Sequence, residues 1–141
     1  MTSLLKAVYQ RLTTSPGVLA LATGGVHWGM APADAAMPYL VLKAAPSIAP
    51  QVNTGSDGIE QRTVRFQAYA VSMAVAGRLI EILEAEFVDN GNLPVLDSGR
   101  VMEAEKSADD LQLDPDRDED GSEVWQGLLD IEFTVQREPG H

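Results

Sequence analysis

The segment Val124 to Arg137 alternates between apolar and polar residues along nearly all of its length. Trp125, Leu129, Ile131, Phe133 and Val135 fall on one side, and Gln126, Asp130, Glu132, Thr134 and Gln136 on the other. Successive side chains of a strand point to opposite faces, so this pattern demands a sheet with one covered face and one polar face. The run is longer than the usual strand of about 5–6 residues, so it is expected to bend or to project beyond its neighbours. Thr63 to Val71 carries the same signal, with Val64, Phe66, Ala68 and Ala70 directed inward and Arg65, Gln67 and Tyr69 outward.

Two half-covered strands need an apolar layer above them, and two helical stripes supply it. After Ser72, a residue able to cap a helix, Val75, Leu79, Ile82, Leu83 and Phe87 recur at helical spacing. Arg78, Glu81 and Glu84 lie around the other side, with Arg78 and Glu81 close enough for a weak pair. Leu4, Leu5, Val8 and Leu12 form a second, shorter stripe, with Thr2 or Ser3 as its cap, and Pro16-Gly17 bars its continuation. Val18 to Ala22 is apolar but short, and the Gly24-Gly25 break follows it.

The remaining elements are weaker. Val26-His27-Trp28 reads as a brief strand ended by Gly29, and Tyr39 to Lys43 as a strand apolar enough for burial on both sides. Arg100 to Glu105 is a modest strand of mixed composition. Residues 45–62 and 107–123 read as a long flexible loop and an acidic loop, and the tail from Glu138 to His141 as frayed. The 141 residues therefore predict one α+β domain spanning 1–141. Its expected architecture is a single mainly antiparallel or mixed sheet of about four strands, with two helices packed on one face.

Charge and composition exclude several function classes. The formal net charge is −11, and ten acids against Lys106 and Arg117 between Glu103 and Glu123 account for −8 of it. Binding to nucleic acid through its phosphates needs a basic footprint, which this balance does not offer. The absence of cysteine removes disulfides, thiolate metal sites and thiol catalysis. No segment approaches the roughly 18–20 apolar residues of a membrane span, so the chain reads as soluble and untargeted, used or assembled in a cytoplasm.

No catalytic, cofactor-binding or metal-binding residue is expected. His27 and His141 are the only histidines, and neither has a second ligand or a nucleophile at a diagnostic spacing, so His27 reads as structural. Asp116, Asp118, Asp120 and Gly121 match the opening of a calcium-binding EF-hand loop. Position 12 of that register should be a bidentate glutamate and is Gly127, position 9 is Val124, and no helix precedes Asp116. A solvated acidic loop is the better reading. Glu81, Glu84 and Glu86 read as a solvated helix face without partners. Gly24-Gly25 and Gly29 lack the spacing of a phosphate-binding loop.

The order of segments resembles the phage tail completion family, the tail terminators and head-to-tail joining proteins of long-tailed phages and gene transfer agents. The resemblance covers roughly residues 3–137. Its parts are the helix Leu4 to Leu12, the stretch from Val26-His27-Trp28 to Pro38-Tyr39-Leu40-Val41-Leu42, the strand–helix unit from Val64 to Phe87, and the closing strand Gly127 to Val135. Pro38-Tyr39 and Tyr69 are its most characteristic pieces, and the acidic insertion between Ala108 and Glu123 departs from many relatives.

The resemblance implies a non-enzymatic subunit of a hexameric ring that caps the tail tube, stops its polymerisation and offers the head connector or stopper a docking surface. It implies a place in the virion tail or neck, assembly in a host cytoplasm, tail tube protein as a partner, and DNA passing through the lumen without specific binding or any membrane contact. By position Ser47 to Gln61 would contact neighbouring subunits or the tube; the clustering of charge alone, and not the resemblance, leads to the expectation that Asp109 to Asp120 face the lumen. Other readings are a stopper or another neck joining protein, a cellular α+β ligand-binding protein, and a calcium-dependent binding module.

Overall fold

A computed structural model describes residues 3–32, 34–45, 59–89, 93–96, 99–113 and 124–136. The described chain runs α1 (Ser3–Thr14), α2 (Pro16–Leu21), β1 (Val26–Trp28), β2 (Tyr39–Ala44), β3 (Ile59–Ala70), α3 (Met73–Glu84) with a single π turn (Ala85–Asp89), β4 (Arg100–Leu113) and β5 (Trp125–Gln136). The five strands form one sheet in the order β1-β2-β3-β5-β4. Only β1 and β2 are parallel; the other neighbours are antiparallel.

This is the expected α+β architecture, with five strands where about four were expected and three helices where two were. The extra helix is α2. Ser15 is its N-cap, with its side chain accepting from the Val18 amide, and Pro16 opens the first turn. Proline is tolerated there because the amide it lacks has no helical partner anyway. Pro16-Gly17 thus ends one helix and starts another.

The alternation of β3 and β5 is realised residue by residue. The two strands pair from Ile59 with Gln136 to Ala70 with Trp125, without a break. Val64, Phe66, Ala68 and Ala70 of β3 and Leu129, Ile131, Phe133 and Val135 of β5 are buried toward the helices. Phe87, from the π turn, lies between Phe66 and Phe133 with ring centroids 5.5 and 5.9 Å away. Burying each such ring contributes about 1.5–3 kcal/mol, so this trio is the centre of the core. Tyr39 to Leu42 of β2 are all buried, as the continuous apolar run required.

Three expectations are corrected. Residues 59–62 belong to β3 rather than to the loop assigned to 45–62; the rest of that loop, 46–58, lies outside the described residues. Residues 107–113 belong to β4, which runs well past Glu105, and of the acidic loop only 114–123 remain, also outside the described residues. The buried side of α3 is centred on Ala76, Leu79, Ile80 and Leu83, while Val75 and Ile82 are half-buried, a rotation from the stripe read in the sequence. Ser72 stands at the N-cap position with an extended backbone, but its side chain makes no capping hydrogen bond.

The rotation of α3 follows from Gly127. A Cβ there would lie 2.7 Å from Ile80 Cγ1 and 3.2 Å from the Ala76 carbonyl oxygen, so the bare backbone of β5 lets the helix sit directly on the strand. Gly24 serves the other end of the domain. Its amide donates to the Pro38 carbonyl at 2.8 Å, and any side chain would run into the carbonyl of Ala36.

Candidate functional site

The helices cover one face of the sheet and leave the other to polar and aromatic side chains. α1 lies over β1 and β2, and α3 over β3, β5 and β4. On the open face a row of side chains crosses all five strands. The His27 ring meets Tyr39 edge-on at 5.8 Å, Tyr39 stacks on Tyr69 at 5.0 Å, Gln126 Nε2 donates to the Tyr69 hydroxyl at 3.1 Å, and Gln112 Nε2 donates to Gln126 Oε1 at 3.4 Å. His27 Nε2 also donates to the Gly24 carbonyl at 3.0 Å. That contact fixes the ring beside the turn before β1.

The same face carries one strong ion pair. Arg65 Nε and Nη2 donate to Asp130 Oδ1 and Oδ2 at 2.9 and 3.0 Å, across directly paired positions of β3 and β5. Asp130 is buried, and its hydrogen bonds hold the Arg65 guanidinium above its ordinary pKa even though burial acts in the opposite direction. A fork-shaped donor against a carboxylate locks two strands in register. This arrangement is structural chemistry rather than catalytic chemistry.

Glu81 meets the Arg78 expected for it, whereas Glu84 and, in the π turn, Glu86 have partners that the sequence reading did not give them. Glu81 faces Arg78 at 3.7 Å, Glu84 faces Lys106 of β4 at 3.4 Å, and Glu86 faces Arg11 of α1 at 3.5 Å. Lys106 also donates to Asp109 at 3.0 Å. The hydrogen bond to Asp109, then the charges of Asp109 and Glu84, raise the Lys106 pKa. The signal that would have paired Glu84 with Lys106 is the length of β4, and two bulges hid it. Met102 and Ser107 are extra residues in its ladder with β5. Once they are skipped, Val101, Ala104, Lys106, Asp109, Leu111 and Leu113 fall on the helix side, opposite the core residues of β5. The Ser107 hydroxyl donates to the Asp130 carbonyl at 3.2 Å, so the second bulge is tied down.

Between α3 and β4 lies an open groove of about 280 Å³, lined by Gly77, Ile80, Glu81, Glu84, Asp109, Asp110 and Leu111. It holds the carboxylates of Glu81, Glu84, Asp109 and Asp110 over a shallow apolar floor of Ile80 and Leu111. Among the described residues no group of three or more His, Cys, Asp or Glu is placed to hold a metal. The EF-hand-like acids Asp116, Asp118 and Asp120 lie outside the described residues. The sequence has no cysteine, and the described residues hold no metal cluster of that kind.

The two ends of the sheet differ sharply. The β1 end bears Trp28, stacked on Tyr9 of α1 at 5.1 Å yet still 44% exposed. The β4 end is a terminal strand of 14 residues, exposed along most of its length.

Comparison with known proteins agrees with this picture. The family model described as "Tail completion protein gp17" matches residues 6–136. Among solved structures, a chain from the virion of a native gene transfer agent particle is similar over 95% of both chains, with a TM-score of 0.77 at 17% identity. The gp17 protein of bacteriophage SPP1 is similar over 94% of this chain and 88% of its own, with a TM-score of 0.57 at 17% identity. No curated protein sequence matches. With the family model matching nearly the whole chain, the chain belongs to the tail completion protein gp17 family.

Proposed function

We propose that this chain is a subunit of a hexameric ring that caps the tail tube, ends its polymerisation and gives the head connector a surface to dock on. The observation that carries the reading is the end-to-end likeness to a chain of a gene transfer agent virion, which leaves no large segment of either chain unaccounted for. The chemistry is compatible with it. The covered face of the sheet carries the core, the open face is internally paired, and three of the four carboxylates in the groove beside α3 are tied to Arg78 or Lys106. In the ring, the acids of 114–123 supply like charge that keeps DNA phosphates from adhering as they pass. Residues 46–58 are our candidate for contact with the tube.

Mixing with purified tail tubes tests the assignment. The chain is expected to bind tube ends, to stop further addition of tube protein, and to give six copies per end by mass. Preference for DNA-filled heads carrying their portal over tube ends would instead make it a stopper or another neck joining protein.

A further inference from the structure

The sheet order separates the charges of this chain. Residues 1–45, which form α1, α2, β1 and β2, contain Lys6, Lys43 and Arg11, the last turned inward to Glu86 and the Leu93 carbonyl, against Asp34 as their one acid. Lys6 is one helical turn before Tyr9 and so shares the side of α1 that stacks on Trp28. Lys43 follows directly on the last β2 residue paired to β1. At the opposite end, β4 and α3 present Asp109, Asp110, Glu81 and Glu84 around Leu111, four acids in excess of Lys106 and Arg78, which pair with Asp109, Glu84 and Glu81 within the chain. Each edge also carries exposed apolar side chains, Trp28 and Met30 on the basic one, Leu111 and Leu113 on the acidic one.

We infer that copies of this chain join edge to edge, with the acidic β4–α3 edge of one docking on the basic β1–α1 edge of the next. The inference rests on the ring reading and names the surfaces that close the ring. A ring built from one chain needs two different, mutually complementary patches on opposite sides of the subunit, because a self-complementary patch stops at a dimer. This sheet has them at its two ends. The net charge of −11 makes copies repel at a distance, so lasting contact requires a local match of opposite charges. Trp28, braced by Tyr9, is the rigid aromatic anchor that such interfaces favour at their centre. A strand with an unpaired backbone edge is also a template for contact with another chain, and acids along it reject acidic partners while accepting basic ones.

Charge reversal tests the inference on the full chain, with ring assembly read by sedimentation and by six-copy caps on tail tubes. Asp109→Lys with Asp110→Lys, and separately Lys6→Glu with Lys43→Glu, are each expected to raise the concentration needed for assembly about tenfold or more. All four changes in one chain are expected to restore assembly to within about threefold of the wild type. Met30→Asp, at a side chain 81% exposed, adds an acid opposite acids and is expected to weaken assembly without moving the melting temperature. Unchanged assembly in both charge-reversed pairs and in Met30→Asp, or no recovery in the fourfold variant, overturns the edge assignment while leaving the ring standing. A wild-type chain that caps no tubes and forms no ring overturns the ring reading itself, and the edge assignment with it.

Discussion

β5 and β4 lie side by side over their whole length, yet they are opposite kinds of strand. β5 sits between two neighbours, buries Leu129, Ile131 and Phe133 completely, and tolerates no extra residue. β4 has one neighbour, carries two bulges, and beyond Ala104 has exposed side chains throughout. The difference teaches where this molecule keeps its stability and where it keeps its freedom to bind. The inner ladder is bound by packing, so its sequence must serve the core. The outer one is held mainly by its backbone, so its side chains are available to a partner.

The sharpest way to break that contrast is to remove bulk from the inner strand. Phe133→Ala empties the site between Phe87 and the sheet and is expected to cost about 3–5 kcal/mol in denaturant unfolding. Next comes Gly127→Val, whose side chain meets Ile80 and the Ala76 carbonyl; it is expected to lose about 1–3 kcal/mol by lifting α3 off β5. Arg65→Ala leaves the buried Asp130 carboxylate without its fork. A loss of about 1–2 kcal/mol is expected, smaller than for a fully buried pair because the arginine is partly solvated. The outer strand supplies the small end of the scale. Leu113→Ser is expected to change stability by no more than about 0.5 kcal/mol while still weakening assembly. A loss of several kcal/mol there would mean that β4 is a core strand after all.

Legibility in the sequence followed the same divide. The faces of β3 and β5 were readable from period-two alternation alone because one side of each is fully covered. β4 was readable only to Glu105, since the bulges at Met102 and Ser107 shift the alternation twice and an exposed edge strand need not alternate at all. α3 was recognised but placed with its face rotated, because its seating depends on Gly127, some fifty residues away and silent in any local pattern. The helix α2 did carry a local signal, Ser15-Pro16, which serves equally well to stop one helix and to start another. The partners of Glu84 and Glu86 could not be read without the tertiary fold, as they come from β4 and α1. The family resemblance rested on segment order rather than on any one residue, and the family model matches over residues 6–136.

The place of β5 between β3 and β4 has a consequence for synthesis. The strand that links β3 to β4 is the last described one to leave the ribosome, so β3 waits with one edge unpaired while residues 71–124 are made. Until Trp125 to Gln136 emerge, Phe66 and Phe87 have no Phe133 to close over them, and the nascent chain holds apolar surface that favours aggregation. A chain stalled on the ribosome after residue 120 is therefore expected to be cut readily by protease within β3, and a completed, released chain to resist. Equal resistance in the two would show that the first three strands can stand alone.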